Sequence, residues 1–243
     1  MNLLAFDTST ETMSIAVSRT RAHGAQTWQH TAAGGAQAST GLIAGVLDLM
    51  AQADLEVSAL HAICFGSGPG SFTGLRTACS VAQGLAFGAG VPVLPVPSLL
   101  AVAEEARYAA LADEAAIEVI ALLDARMDEM YLAVYAYAHG VWTERQTSVL
   151  ARPEDLAVAA NATVLAGNVF EAYGDRLQSC AGFATARHIT TLPTASAMLR
   201  LAPQLLNDGK AVPAHLALPL YVRDKVAKTT LERAAEKAAA HAN

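Results

Sequence analysis

Charged residues are scarce in this sequence of 243 residues, and no lysine lies between Gly34 and Leu201. Asp, Glu, Lys and Arg make up 16% of the chain, against 53% hydrophobic residues, and the formal net charge is −6. A protein that binds RNA or DNA on its own needs a field of lysine and arginine. We therefore expect no autonomous nucleic-acid binding, although an acidic protein can serve a nucleic-acid pathway through a basic partner.

Cysteines and uninterrupted apolar runs are also rare. The three cysteines have no paired or metal-ligand spacing, which fits a reducing cytosol. The N-terminus lacks the basic region of a signal peptide. The uncharged stretch 79–103 has the length of a membrane span, but three prolines and three glycines divide it into helix, turn and strand. The sequence therefore predicts a cytoplasmic protein with no membrane span.

A repeat relates the two halves of the chain. AFDTSTETMSIAV (5–17) aligns without a gap on LLDARMDEMYLAV (122–134), and Asp7 falls on Asp124. Each copy reads as a β-hairpin with an aspartate at the tip of its first strand. The elements predicted after each hairpin have the same order of strand, helix, strand, helix, strand, helix. They are 26–31, 40–53, 62–65, 71–87, 91–96 and 98–111, and then 141–150, 153–160, 163–166, 169–178, 188–191 and 195–206.

This order predicts two similar α/β lobes. Each would be a mixed sheet with antiparallel hairpin strands first and helix-linked parallel strands after. We expect the lobes at 1–98 and 99–224, followed by a helical or disordered tail at 225–243. A long helix near 98–112 or 195–208 is the candidate for crossing to the other lobe.

A glycine-rich loop, GSGPGSFTG (66–74), follows a predicted strand and opens a predicted helix. It lacks the Gly-Lys-Ser/Thr of a P-loop, and Ser71 stands at the third glycine position of the dinucleotide fingerprint. Both nucleotide interpretations fail. The residues instead predict a sharp turn with Ser71 as the helix cap, while an anion site at this helix end, near Arg76, is the alternative.

The predicted helices 40–53 and 71–87 have almost no polar face. In the second, small residues recur every four positions from Gly74, a spacing that admits a closely packed helix. We interpret the pair as half of a helical bundle completed by another subunit, and the alternative is burial within one lobe. The residues predicted for the partner interface are Leu42, Val46, Leu49, Met50, Gly74, Leu75, Ala78, Ala82 and Leu85.

Four motifs together resemble the TsaB family of tRNA threonylcarbamoyladenosine biosynthesis proteins, which is paralogous to TsaD. They are LLAFDTSTETMSIAV, GSGPGSFTGLRTACSVAQGLAFG, LLDARMDEMYLAVY and PLYVRDKVA, and they span residues 3–227. The resemblance implies an α/β fold with two tandem ribonuclease-H-like lobes of the actin-like ATPase superfamily, each a mixed β-sheet flanked by helices. Family members often carry a histidine and a proline around the first helix, where this chain has Ala38 and Ala44.

The same resemblance implies a function. It is that of a non-catalytic scaffold that binds and activates a TsaD-like paralogue, together with a TsaE-like ATPase. The complex transfers threonylcarbamoyl from its adenylate to N6 of the tRNA adenosine next to the anticodon. The resemblance further implies that the two apolar helices form the partner surface and that tRNA is contacted only through the complex. No cofactor is expected, and an isolated chain should hide its apolar helices in a homodimer.

An autonomous actin-like nucleotide hydrolase or kinase is the alternative from another class. Its candidate nucleotide or cleft contacts are Asp7, Thr8, Ser9, Thr10, Asp124 and Arg126. The hairpin tips lack the glycine that lets backbone approach a phosphate, so Asp7–Thr10 are expected to brace the turn and Asp124 to pair with Arg126. No two histidines have the His-x-x-x-His spacing, and no metal site is predicted. A peptidase nucleophile at Ser67 or Ser71 lacks the G-x-S-x-G elbow.

Overall fold

Two mixed β-sheets of five strands each organise the part of the chain that the structure describes. The computed structural model describes residues 1–22, 24–158 and 163–223. The strands of the first sheet are β1 (Leu3–Asp7), β2 (Thr12–Arg21), β3 (Gly24–Ala33), β4 (Ala62–Gly68) and β5 (Val93–Pro97). Their order is β3-β2-β1-β4-β5, with β1 antiparallel to β2 and parallel to β4.

The second sheet repeats this arrangement. Its strands are β6 (Ala116–Arg126), β7 (Glu129–Ala138), β8 (Val141–Ala151), β9 (Thr163–Gly167) and β10 (Arg187–Thr190). Their order is β10-β9-β6-β7-β8, with β6 antiparallel to β7 and parallel to β9. Each sheet therefore has its hairpin strands on one side and its parallel strands on the other, and the predicted fold of two similar α/β lobes is confirmed.

Within the described residues, five α-helices form three layers around the sheets. They are α1 (Ala38–Gln52), α2 (Phe72–Ala89), α3 (Ser98–Ala110), α4 (Phe170–Leu177) and α5 (Ala195–Asn207). α1 and α2 share a hydrophobic cluster with one face of the first sheet, α4 with one face of the second, and α3 and α5 lie in the cluster that joins the two sheets. Among the described residues, no helix is long and apolar enough to span a bilayer.

Strand β1 packs against helices on both of its faces, because its side chains alternate between the two faces of the sheet. All five residues of β1 are buried. Leu4 and Phe6 belong to the cluster with α1 and α2, whereas Leu3 and Ala5 belong to the cluster with α3 and α5. Successive side chains of a strand point to opposite faces, so a strand covered on both faces is apolar at successive positions, here from Leu3 to Phe6.

The last helix of each half of the chain packs beyond its own sheet: α3 packs on both sheets, and α5 packs on the first sheet. α5 follows the second sheet in sequence but contacts β1, β2, β4 and β5, and α3 contacts β6 and β7 as well as β4 and β5. These two helices also contact each other. The lobe boundaries at residues 98 and 99 stay a prediction, and the tail at 225–243 lies outside the described residues.

Most predicted elements agree with the structure to within three residues at each end. The helix predicted at 153–160 is wrong over its described part, which is a 3₁₀ turn at Pro153–Asp155 followed by extended backbone at Leu156. The carbonyl of Pro153 accepts a hydrogen bond from the Cys180 thiol at 3.2 Å. The same carbonyl accepts the N–H of Leu156 at 3.3 Å, which closes the 3₁₀ turn, and the backbone leaves helical geometry at Leu156.

A buried carboxylate ties the middle helices to the second sheet. Glu104 on α3 is 2% exposed and accepts hydrogen bonds from Arg107, Arg200 and Trp142 at 2.7–3.0 Å. Arg200 lies on α5 and Trp142 on β8, so one carboxylate connects three elements. Burial alone would raise the pKa of Glu104, but these hydrogen bonds outweigh it and hold the pKa below its ordinary value.

Candidate functional site

The two hairpin turns share one hydrogen-bonded motif. Asp7 Oδ1 accepts the backbone N–H of Ser9 at 2.8 Å, and Asp124 Oδ1 accepts that of Arg126 at 2.8 Å. An aspartate that bonds to the amide two residues further on stabilises a tight turn. The repeat predicted from the sequence thus extends to individual side chains: Asp7 braces its turn as expected, and Asp124 makes the same bond in the second turn.

Asp7 is closed off from solvent. It is fully buried, and it also accepts hydrogen bonds from the hydroxyls of Ser9 at 2.7 Å and Ser98 at 3.0 Å. A Cβ added at Gly66 would lie 1.8 Å from Asp7 Oδ2, so β4 covers the carboxylate from a third side. Burial raises the pKa of Asp7, against the hydrogen bonds from Ser9 and Ser98, which lower it. This carboxylate is placed to support the turn.

The glycines of the loop are explained by contact with the β1–β2 turn. A Cβ at Gly74 would meet the carbonyl oxygen of Thr8 at 1.8 Å, and one at Gly70 would meet that of Ser9 at 2.5 Å. The N–H of Ser71 donates to the same Ser9 carbonyl at 2.7 Å. Ser71 is the N-cap of α2, and its hydroxyl accepts from the N–H of Gly74. The predicted cap is confirmed, and the loop serves to seat α2 on the turn.

Two glycines of α2 should respond oppositely to alanine. Gly74→Ala is expected to destabilise the fold by about 1–3 kcal/mol, because its Cβ overlaps the Thr8 backbone. Gly84→Ala, where a Cβ meets nothing within 4 Å, is expected to stabilise it by about 1 kcal/mol. Urea unfolding followed by circular dichroism measures both. Equal effects at the two positions would contradict this account of the loop.

A cleft of about 400 Å³ opens between the two hairpin turns. Of the predicted cleft residues, Ser9, Thr10, Asp124 and Arg126 line it, whereas Asp7 and Thr8 do not. Asp7 and Thr8 are buried behind it, and the Thr8 hydroxyl donates to the carbonyl of Gly74 at 2.7 Å. The structure therefore brings four of the six residues together at one opening.

Asp124 is engaged by its own lobe. Its Oδ1 accepts the Tyr173 hydroxyl at 2.8 Å, and its N–H donates to Asn168 Oδ1 at 2.9 Å. The predicted ion pair with Arg126 is present at 3.9 Å, although the Arg126 side chain is 80% exposed. Burial, together with the hydrogen bond to Asp124, raises the pKa of Tyr173 to about 12. The phenol therefore stays protonated and keeps donating to the carboxylate.

Several cleft residues escaped prediction from the sequence. They are Phe72, Asn168, Tyr221 and Arg223. Tyr221 and Arg223 lie in the motif PLYVRDKVA, which carried the family resemblance but suggested no role. Their contacts are with residues about a hundred or more positions away, which local sequence patterns do not report.

The residues predicted for the partner interface face the interior. Leu42, Val46, Ala78 and Ala82 are fully buried in the cluster between the helices and the first sheet. Four more of the predicted residues are also buried, namely Leu49, Met50, Gly74 and Leu75. The ninth, Leu85, is partly buried. Their role in a partner interface stays a prediction, because the first sheet covers these side chains in the single chain. Any partner of α1 and α2 has to contact their other side.

That other side, here called the outward face, is itself apolar. Its large side chains are strongly exposed, reaching 51% at Ile43, 52% at Leu47 and 85% at Phe87. Gly84 and Gly88 are exposed on α2, and a Cβ at either would meet nothing within 4 Å. A glycine inside an exposed helix costs about 1 kcal/mol relative to alanine. The packing of the described residues does not explain why glycine occupies either position.

Comparison with known proteins agrees with this architecture. The family model described as TsaD, tRNA N6-adenosine threonylcarbamoyltransferase, matches residues 36–156. The tRNA threonylcarbamoyladenosine biosynthesis protein TsaB of Escherichia coli (strain K12) is 32% identical over 232 residues, which cover 93% of this chain and 96% of that protein. The protein of the same name from Haemophilus influenzae is 40% identical over 136 residues, covering 55% of this chain and 53% of that protein.

A solved structure is similar over nearly its whole length. YeaZ from Pseudomonas aeruginosa has a TM-score of 0.78 and 35% sequence identity, and the match covers 90% of this chain and 99% of that one.

Proposed function

Since this chain belongs to the TsaB family of tRNA threonylcarbamoyladenosine biosynthesis proteins, we propose that it acts there as a non-catalytic subunit. Its role is to bind and activate a TsaD-like paralogue, which transfers threonylcarbamoyl from its adenylate to N6 of the adenosine next to the anticodon. A TsaE-like ATPase is a further component, and tRNA is contacted only through the complex. The observation that carries the proposal is the apolar outward face of α1 and α2.

The outward face has the properties of a stable interface. α1 and α2 together contain one acid, Asp48, and one base, Arg76. The core of an interface is depleted of charge and enriched in large apolar side chains, as here at Ile43, Leu47 and Phe87. The exposed Gly84 and Gly88 would let the backbone of another helix approach closely.

The similarity to TsaD suggests how a paralogue would bind. The region matched by the TsaD family model, 36–156, includes both α1 and α2. A paralogue of like fold would present an equivalent helix pair, and two such pairs pack as a four-helix bundle about a pseudo-twofold axis. The same geometry would allow a homodimer of the isolated chain, with the paralogue as the preferred occupant.

The hairpin carboxylates support an accessory role over an autonomous nucleotide hydrolase. A catalytic carboxylate has to reach a bound phosphate, metal or water. Asp7 is fully buried beneath Ser9 and Ser98, and Asp124 is bonded to Tyr173 and the backbone of Arg126. Neither turn contains a glycine at which the backbone could approach a phosphate.

Reconstitution tests the proposed function. The purified TsaD-like paralogue and TsaE-like ATPase of the same organism should transfer threonylcarbamoyl to tRNA only after this chain is added. Calorimetry should detect no ATP binding to the chain alone, and a phosphate-release assay no turnover. Micromolar ATP binding with turnover by the isolated chain would favour the nucleotide hydrolase instead. Full transfer without the chain would contradict the accessory role.

A further inference from the structure

The end of the described chain crosses the mouth of the cleft from one lobe to the other. Residues 217–223, here called the strap, begin against α2 in the first lobe. Ala217 is fully buried, and its carbonyl accepts the Gln83 side-chain amide at 2.9 Å and the Cys79 thiol at 3.4 Å. The strap is therefore anchored at its start.

The middle of the strap lies on the glycine loop. The N–H of Leu220 donates to the Ser67 carbonyl at 2.7 Å. A Cβ at Gly68, where φ is +113°, would meet the Leu220 carbonyl oxygen at 2.7 Å. Only glycine tolerates both that backbone conformation and that contact. The loop is thus shaped for the strap as well as for the β1–β2 turn.

Tyr221 forms the second anchor in the first lobe. Its ring lies 5.3 Å from that of Phe72, and its hydroxyl accepts a hydrogen bond from Arg76 Nε at 3.0 Å. The Arg76 guanidinium also lies 3.7 Å from the centre of the Phe72 ring. The single base of α2 is therefore directed to the strap.

The strap ends on the second lobe. Arg223 donates to Glu129 Oε2 at 2.5 Å and to the carbonyl of Arg126 at 3.2 Å, both in the β6–β7 turn. Its side chain is 15% exposed. Leu220, Tyr221, Val222 and Arg223 all line the cleft, so the strap forms part of its wall.

We propose that the strap is a latch that holds the two lobes together across the cleft and sets the width of the cleft. The lobes are also tied through Glu104, which is buried and bonded to three side chains on α3, α5 and β8. At its far end the latch is held by one side chain, that of Arg223, whereas the Glu104 side is held by three. Opening therefore starts at the latch, and the lobes turn about the Glu104 side.

Two variants of the full chain release the latch from opposite ends. Arg223→Gln removes the charge that reaches the second lobe, and Tyr221→Ala removes the ring that holds the first. Arg187→Gln is the matched control, because Arg187 forms an exposed ion pair with Glu114 and does not line the cleft. The rate of amide hydrogen exchange, measured by mass spectrometry, should rise tenfold or more over that of the unchanged chain in both latch variants. The rise should be in the strap and in the β6–β7 turn. Exchange in α3 and α5 should stay unchanged.

A distance measurement tests the effect on the lobes. Spin labels at Thr27→Cys on β3 and Thr143→Cys on β8, in labelled chain diluted with unlabelled chain so that a homodimer adds no second distance, report the separation of two exposed positions, one on each lobe. We expect one narrow distance distribution in the otherwise unchanged chain and in the Arg187→Gln control. Both latch variants should give a broader distribution that extends to longer distances. An unchanged distribution, or faster exchange spread equally over α3 and α5, would overturn the latch.

Discussion

Replacing Glu104 by alanine is expected to lower the free energy of unfolding by about 3–5 kcal/mol, the usual cost of removing one partner from a buried ionic network. The substitution leaves Arg107 and Arg200 without their shared carboxylate and the Trp142 N–H without an acceptor. It also removes the carboxylate that joins α3, α5 and β8 at one point, although Arg200 keeps its bond to Glu105 and Gln204 its bonds to the Trp142 backbone. Urea unfolding at neutral pH measures the loss.

The pH dependence provides the control for charge. Because the folded state holds the pKa of Glu104 below its ordinary value of 4.5, the stabilisation is complete above that pH. It is lost as the pH falls through the lower, folded value. Glu104→Gln retains the side-chain volume but cannot titrate, so its stability should fall less steeply than that of the unchanged chain below pH 4.5. Parallel acid profiles, or a loss under 1 kcal/mol in Glu104→Ala, would contradict the role of this network.

Leu47→Glu is expected to abolish partner binding while leaving the fold intact. Leu47 is 52% exposed on the outward face, and a surface substitution of this kind changes stability by about 0.5 kcal/mol at most. In the bundle, the new carboxylate would be buried without a partner, at a cost of several kcal/mol. Since 1.4 kcal/mol is a tenfold change, affinity for the TsaD-like paralogue should fall about a hundredfold or more. Calorimetry measures the affinity, and light scattering measures the expected loss of the homodimer.

Two further substitutions serve as controls for Leu47→Glu, one at an exposed position away from the outward face and one in the core. Thr143→Glu, at an exposed position of β8, should change neither folding nor binding. Ala78→Glu, on the inward side of α2, should prevent folding, because Ala78 is fully buried against the first sheet. Retained binding in a folded Leu47→Glu protein would remove the outward face from the interface.

The sequence was sufficient for the parts of the fold that depend on local pattern. The alignment of Asp7 on Asp124 predicted two hairpins that share a side-chain motif in the structure. Ser71, placed after the glycines and before an apolar run, marked the start of α2. Both signals lie within a few residues of the structure that they specify, which is why they could be recognised.

The faces of α1 and α2 could not be assigned in the same way. Hydrophobic periodicity identifies the buried side of a helix only when the other side is polar. Here Leu42 and Val46 face the sheet, while Ile43 and Leu47, one position further on, are exposed and equally apolar. The sequence therefore revealed two helices with more apolar surface than one sheet can cover, but not which stripe the sheet takes.

Long-range polar contacts were likewise beyond local patterns. Glu104 joins side chains separated from it by up to 96 positions, and Arg223 reaches Glu129 over 94. Such partners are brought together only by the packing of two lobes, so a single sequence without covariation carries no signal for them. The Glu104 network and the strap became visible only in the folded chain.

The most direct test of the central claim is a photocrosslink from the outward face of α1. A benzoylphenylalanine residue at position 47 should crosslink to the TsaD-like paralogue in the assembled complex, whereas the same residue at position 143 on β8 should not. Mass spectrometry of the product should place the attachment on the equivalent helix pair of the paralogue. A crosslink from position 143 and none from position 47, in a complex that retains its transfer activity, would contradict the claim.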